Sequence, residues 1–409
     1  MRISLAVLGC KISQYDAARL EERLRQAGAE ITPPSSASQA FLLCGCAVTE
    51  RAAREAGQVA RRLQRLNPGA PLYYYGCIGA YFANQPDYEK SCCFPPGCEI
   101  ALLETLGLSS PAPVSSGSSW HRTRGLVKVQ DGCSHFCTYC IVPYLRGPAK
   151  SRPIREVEAE VADLLYRGFR EVVLSGVHLS SWGHDLGSST LIDLLHCLDR
   201  LPGLDRLRLS SLEPMDLSPQ TVASFRTIEH LCPHLHLPLQ SGSDSILQRM
   251  GRGYNRAHYL RLVEAARAAW PEVALTTDIL IGFPGESEQD FQATLATIEA
   301  VSFARLHLFR YSPRPGTPAA SMTGSVDERE KRQRLERLRS LAEALPGRFR
   351  QRFLGRSFPV LVERVRESQA GGFTPNYIHL TFPAWPGLLV GQLVEVKVSE
   401  EAPDVGREQ

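Results

Sequence analysis

The sequence predicts an α/β protein in three parts: an N-terminal open α/β sheet, a central partial (β/α)6 barrel and a small C-terminal β-barrel. Three observations predict it. Residues 1–105 alternate apolar strand-like runs with amphipathic helical ones. A second, longer alternating series follows a Ser/Pro/Gly-rich stretch and repeats the strand–helix unit six times. From about Gly355 the runs become short, β-rich and turn-punctuated. At 409 residues the chain is too long for one hydrophobic core.

In chain order, "ISLAVLG" reads as a strand and "SQYDAARLEERLRQAG" as an amphipathic helix stopped by glycine. "AFLLCG" and "PLYYYG" are the next strands, separated by the helix "VTERAAREAGQVARRLQRLNPG". This first domain is expected over 1–108, with a linker at 109–120, "SSPAPVSSGSSW". The central domain is expected over 121–353. Its strands are "LVKVQ", "EVVLSG", "LDRLRLSS", "LHLPLQ", "ALTTDILIGF" and "ARLHLF", so a site belongs at their C-terminal ends. Residues 327–353 form a charged helix with an expected Pro-Gly interruption at 346–347. Residues 354–400 form the β-rich module, a type that often binds oligonucleotides, and the acidic tail beyond is expected to fray.

Bulk composition excludes some classes. Hydrophobic content of 43% with 22% charged residues is that of a soluble globular protein, and no apolar run is long enough to span a bilayer. The N-terminal apolar stretch reads as a first strand and not a signal peptide, so a cytoplasmic chain without a membrane partner is expected. A net charge of +3 does not by itself mark a nucleic-acid binder. The 12 cysteines, clustered in a chain of this kind, point to metal and not to disulfides.

The central cluster is "DGCSHFCTYC", with Cys133, Cys137 and Cys140 spaced C-x3-C-x2-C in the loop after the first barrel strand. Structural zinc takes four protein ligands, and no fourth lies close in sequence. A cubane iron–sulfur cluster held by three thiolates keeps one iron open to an exogenous ligand. The rival is a zinc site completed from a distance. The N-terminal domain carries a second trio: Cys10 follows the first strand, Cys46 the second and Cys77 the third. Parallel strands deliver their C-terminal ends to one edge, where such residues converge. Cysteine also serves as a plain buried hydrophobe, and Cys44 competes with Cys46; Cys46 is preferred because "CAVTE" opens the loop and helix.

The Cys133 motif, with Tyr139 before its last cysteine, resembles the signature of radical S-adenosylmethionine (SAM) enzymes. "LGCKISQYD", "CAVTERAAR", "YYGC", "GPAKSRP", "HLPLQSGSDSILQRMGRGY", "DILIGFPGESEQDF" and "YSPRPGTPAA" together resemble the radical SAM methylthiotransferase family over nearly the whole chain. The β-rich C-terminal segment is similar to that family's RNA-binding TRAM module, here short and not strongly basic. The stretch "SGVHLSSWG", with His178, resembles the branch acting on threonylcarbamoyladenosine (t6A) in tRNA. Other branches act on isopentenyladenosine or a ribosomal-protein aspartate. A zinc-containing, non-catalytic RNA-binding protein is the rival of another class.

The resemblance implies two 4Fe-4S clusters, one on Cys133, Cys137 and Cys140 and an auxiliary one on Cys10, Cys46 and Cys77. It implies SAM contacts from Tyr139, Ser175, Gly176, Ser211, Glu213, Gln240 and Ser241, with backbone groups of Ile281 and Gly282 against the adenine. It implies that one SAM methylates a sulfur on the auxiliary cluster and a second supplies a radical that takes hydrogen from adenine C2. The partner is the tRNA anticodon loop, where a base can be splayed out. An electron donor of flavodoxin or ferredoxin type is implied, and a sulfur donor that the sequence does not name. His178, Arg146, Lys150, Arg310 and Arg314 are candidates for substrate contact through phosphate or the threonyl carboxylate. The family has Asn-Thr before its second cysteine, where this chain has Cys44-Gly45. Cys92, Cys93 and Cys98 are not required by the pattern and read as incidental, and Cys197 and Cys232 read as core.

Overall fold

The computed structural model describes residues 1–109, 123–187 and 189–400. Nearly all of the expected linker and the end of the tail lie outside the described residues. Four sheets carry the architecture, two of them joined by isolated bridges into one central arc. The first contains β1 (Arg2–Val7), β2 (Glu30–Thr32), β3 (Ala40–Cys44), β4 (Leu72–Tyr75) and β5 (Cys93–Phe94) in the order β2-β1-β3-β4-β5, all parallel. It is buried on both faces, which is why β3 reads as a continuous apolar run and not an alternating one. Ile3, Leu42 and Leu102 pack on one side; Phe41, Leu43 and Ala56 pack on the other.

The central sheet is an arc of parallel strands. β6 (Arg124–Asp131), β8 (Glu171–Gly176) and β9 (Arg206–Leu209) pair in that order, with the short β7 (Lys150–Ser151) antiparallel on the β6 edge. β10 (His234–His236), β11 (Ala274–Ile281) and β12 (Arg305–Arg310) continue it. Isolated bridges Leu207–Leu231 and Ser211–His236 join the two halves. Among the described residues no pairing closes β12 onto β6, so the barrel is partial. Its outer face buries Val127, Val172, Leu207 and Ile279 under helices including Ile154–Tyr166 and Glu288–Val301. The N-terminal domain fills the gap: Tyr15 of helix Lys11–Gln26 packs on Leu126 and Val173 and donates to Glu160 at 2.9 Å.

The C-terminal sheet curls in the manner of a small β-barrel. β13 (Ser357–Val365), β14 (Gln369–Phe373), β15 (His379–Pro383) and β16 (Leu393–Lys397) are antiparallel in the order β15-β14-β13-β16, with a register shift between Val362 and Arg364. It seals the N-terminal end of the barrel strands. Arg124, Glu171, Arg206 and His234 each open their strand; Arg124, Arg206 and His234 meet the C-terminal module directly, and Glu171 pairs with Arg206 and Arg208. Arg206 donates to the Phe373 carbonyl at 3.0 Å and Arg208 to the Pro375 carbonyl at 3.0 Å. Tyr377 stacks on His234 with centroids 4.7 Å apart and accepts from Arg124 at 2.8 Å.

The helix Glu328–Gln351 runs unbroken through Pro346, against the interruption expected there. Proline forfeits one backbone bond, but Leu345 and Phe349 are buried on either side of it and hold the turn. Cys232 is buried as expected, whereas Cys197 is only half-buried, beside Glu158 and His196. Among the described residues no helix is long and apolar enough to cross a membrane.

Glu171 is the keystone of the sealed end. Burial opposes its ionisation, but Arg208, Arg124 and Arg206 outweigh that and hold the carboxyl at about 2. Because the folded value lies below the ordinary 4.5, its contribution is complete above that pH and is lost as pH falls toward 2. Glu171→Gln is expected to cost about 3 kcal/mol in urea denaturation and to release β13–β16 first in hydrogen exchange, because it leaves buried guanidinium groups unpaired.

Candidate active site

Both cysteine trios sit beyond the C-terminal ends of their strands, opposite the sealed end of the barrel. In the N-terminal domain β1, β3 and β4 are neighbours, so Cys10, Cys46 and Cys77 leave adjacent strand ends. Gly9 permits this approach: at φ +112° it takes a conformation glycine alone adopts readily, and a Cβ there would lie 2.5 Å from that of Cys46. The neighbouring Cys46 thiol, with Ser13 and nearby Arg146, lowers the Cys10 pKa against the opposing effect of burial. Cys46 also accepts from the Val48 N–H at 3.4 Å. Burial pushes Cys77 up to about 11, partly offset by Arg146, whose Nε donates to its sulfur at 3.0 Å. Cys44, at the end of β3, is instead packed in the apolar core with Leu42, Tyr75 and Phe94.

The second trio lies in the loop after β6. Gly132 starts it at φ +68°, where a Cβ would meet the Pro148 carbonyl oxygen at 2.0 Å. The loop is pinned by Cys133 N–H to the Gly147 carbonyl at 3.0 Å and Thr138 N–H to the Met250 carbonyl at 2.9 Å. Each sulfur has a partner beside it, the Val142 N–H in the case of Cys140. Cys133 lies 3.6 Å from His178 Nδ1, and Cys137 accepts from Arg252 Nη1 at 3.4 Å. Burial pushes Cys140 up to about 12 and raises Cys137 as well, so both are protonated thiols at neutral pH until a metal replaces the proton. Tyr139 packs in the Phe283 cluster, with ring centroids 6.4 Å apart.

The donor set fits iron–sulfur clusters better than single ions. Tetrahedral zinc at about 2.3 Å holds its sulfurs about 3.8 Å apart. Among the described residues the three-donor groups drawn within 4.8 Å of one another are His135, His178, Asp216 and His236, Asp278, His307; neither cysteine trio is so tight. Guanidinium groups at Cys77 and Cys137 suit an anionic cluster of thiolates and sulfides.

The remaining candidates divide. Ser175 and Gly176 end β8, Ser175 buried and Gly176 half-buried. Ser211 is half-buried in its bridge to His236, and Glu213 is ion-paired with Arg252. Gln240 holds a φ of +62° at its bridge to Ile279, and the Ser241 hydroxyl turns into the core toward Thr294 at 3.4 Å. The Ile281 carbonyl already accepts from the Tyr311 N–H at 2.8 Å, and the Gly282 N–H donates to Glu286 at 2.8 Å. Among the substrate candidates, Arg146 and Arg314 are interior ties and not exposed cations. Arg146 pairs with Asp16 and Asp131; Arg314 donates to the Ala47 carbonyl at 2.6 Å and covers Tyr81. His178 is buried against Asp216; burial opposes its charge, but Asp216 and Cys133 raise its pKa to about 9. Lys150 is exposed, and Arg310 is half-exposed, 3.7 Å from Glu328.

Sequence reasoning passed over Arg252, Asp216, Asp16, Asp131 and Lys128. Each is a lone charged residue with no local pattern; only the glycines around Arg252 mark its stretch as unusual.

The model for the Radical SAM superfamily matches residues 127–298, and that for Uncharacterized protein family UPF0004 matches residues 2–87. In the solved structure of the radical SAM methyltransferase TsrM from Kitasatospora setae, 78% of this chain aligns with 75% of that one at TM-score 0.58 and 16% identity, a likeness of fold. Fold and site together define a radical SAM enzyme, which implies SAM and a 4Fe-4S cluster. The threonylcarbamoyladenosine tRNA methylthiotransferase MtaB of Thermotoga maritima is 35% identical, covering 97% of this chain and 94% of that protein. The tRNA-2-methylthio-N(6)-dimethylallyladenosine synthase of Sphingopyxis alaskensis is 34% identical, with 97% and 94% covered. The chain belongs to the radical SAM tRNA methylthiotransferase family.

Arg252 is buried between Cys137 and Glu213, so its removal strands the Glu213 carboxylate and leaves the Cys137 sulfur without its donor. Arg252→Gln is expected to lower thermal stability by about 3 kcal/mol and to reduce iron retention at the Cys133 loop, measured by iron analysis after anaerobic desalting.

Proposed function

We propose that the enzyme converts t6A next to the tRNA anticodon to its 2-methylthio derivative. The branch is supported by relatives so named, at 35% and 34% identity over almost the whole chain. The reaction type is carried by one observation: Arg146, at the end of the short helix that follows Cys140, touches Cys77, so the two trios stand on adjacent elements.

In this reading Cys133, Cys137 and Cys140 hold the cluster that binds SAM, and Cys10, Cys46 and Cys77 hold the auxiliary one. The bound groups supply what no side chain can: a radical able to take hydrogen from an unactivated aromatic carbon, and the methylthio group that replaces it. The chain's own task is to bring adenine C2 between the two sites and exclude water. Tyr139, Ser175, Gly176, Ser211, Glu213 and Gln240 border the SAM position at the strand ends. Ser241, Ile281 and Gly282 shape its backbone floor, their polar groups being engaged within the protein. Phe136 and Tyr144 flank the cysteine loop with side chains 62% and 53% exposed and ring centroids 5.7 Å apart, a surface on which loop nucleobases stack. Lys150 and Arg310 face solvent for phosphate or the threonyl carboxylate. Residues 354–400 act as a TRAM-like RNA-binding module, and an electron donor of flavodoxin or ferredoxin type serves the clusters in the cytoplasm.

A deletion strain tests the substrate. Its tRNA is expected to accumulate t6A and to lack the 2-methylthio form by nucleoside mass spectrometry. Loss of methylthio-isopentenyladenosine instead would favour the second reading, which rests on the relatives named for that nucleoside. Iron analysis tests the ligand choice. About eight irons per chain are expected from two cubanes; Cys46→Ala retains about four, and Cys44→Ala keeps the full complement.

A further inference from the structure

Arg146 is 3% exposed in its side chain, and each of its three guanidinium nitrogens has an acceptor. Nε donates to Cys77 Sγ at 3.0 Å, Nη1 to Asp131 at 2.7 Å and Nη2 to Asp16 at 2.9 Å. The partners come from three places. Cys77 belongs to one trio. Asp16 lies on the helix that starts directly after Cys10. Asp131 ends β6, two residues before Cys133. Lys128 bridges the same two carboxylates, so two cations and two anions balance and Cys77 accepts from the guanidinium Nε–H. Desolvating that guanidinium is costly, and only full pairing offsets it. The side chain is therefore fixed, and with it the spacing between the segments that carry the two trios.

We propose that Arg146 is a positioning residue that clamps the two cysteine sites at one separation and, through its bond to Cys77, raises the reduction potential of the cluster on Cys10, Cys46 and Cys77. A donor to a ligating sulfur spreads the charge that reduction adds, which favours the reduced form. The inference rests on the two-cluster reading and adds to it.

The experiment is a redox titration, followed by electron paramagnetic resonance, of the anaerobically reconstituted full chain, with product and 5′-deoxyadenosine counted in the same preparations. In Arg146→Gln the iron content stays at the wild-type value. The reduction equilibrium of the N-terminal cluster falls about tenfold, which is 59 mV for a one-electron couple, and the Cys133 cluster is unmoved. Methylthiolated product per 5′-deoxyadenosine falls at least tenfold. Asp131→Asn, which loosens the clamp but leaves the Cys77 bond, lowers that ratio without moving either potential. An unchanged N-terminal potential in Arg146→Gln overturns the proposal, as does an equal shift of both clusters, which a general loosening would produce. Should Arg146→Gln lose iron, Arg146→Lys carries the test: a ratio down at least threefold at full iron supports the clamp, and a wild-type ratio overturns it. Wild-type protein with only about four irons and one reducible species would remove the two-cluster reading itself, and this inference with it.

Discussion

A buried guanidinium cannot be left without partners, and the arrangement of the whole site follows from how Arg146 is satisfied. Its partners are drawn from the first helix, the β4 edge and the end of β6, so the charge closes only when the N-terminal sheet docks against the open side of the barrel. Arg314, reaching the Ala47 carbonyl beside Cys46, is a second tie of the same kind from the far end of the barrel. Apolar contact through Tyr15, Leu126 and Val173 supplies area, while the ion pairs supply register. Non-directional burial alone would tolerate a slide between the two bodies; three short hydrogen bonds from one planar group do not.

The barrel has one closed end and one open one, and the charges are sorted accordingly. At the N-terminal ends of its strands Arg206 and Arg208 share Glu171 and donate to carbonyls of the C-terminal sheet. The C-terminal sheet is thereby tied to the barrel through contacts that include fully buried ones. At the C-terminal ends lie the cysteine loop, the half-buried strand termini and the exposed pair Phe136 and Tyr144. Parallel strands make this polarity unavoidable: every loop that follows a strand emerges on one side.

The thiols themselves are poorly suited to being free. Burial holds Cys77, Cys137 and Cys140 in the neutral form, while Arg146, Arg252 and His178 wait beside the sulfurs. Such a setting penalises a bare thiolate less than it rewards a large, delocalised anionic group ligated there. The same cations answer to carboxylates, Asp16 and Asp131 for Arg146 and Glu213 for Arg252, so each site is pre-organised and not assembled on binding.

Much of this was legible in the chain. Apolar runs of strand length, separated by amphipathic helices, located every principal strand of the first two sheets, and missed only the short β2, β5 and β7, which have too few residues for a pattern. The C-x3-C-x2-C spacing marked the Cys133 loop because all three cysteines lie on one short segment. Parallel topology even brought Cys10, Cys46 and Cys77 to one edge in advance. The sequence preferred Cys46 to Cys44, but the burial of the Cys44 thiol in the core at the end of β3 needed the structure. So did the fate of Arg146, which the sequence offered as a surface cation for phosphate and the fold buried against Cys77. The same holds for Arg252 and for Ser241, whose side-chain directions depend on helices far away in the chain. Local spacing determines which groups share a loop or a face; which charge meets which sulfur depends on long-range docking, and that is set by packing and by the need to pair buried charge.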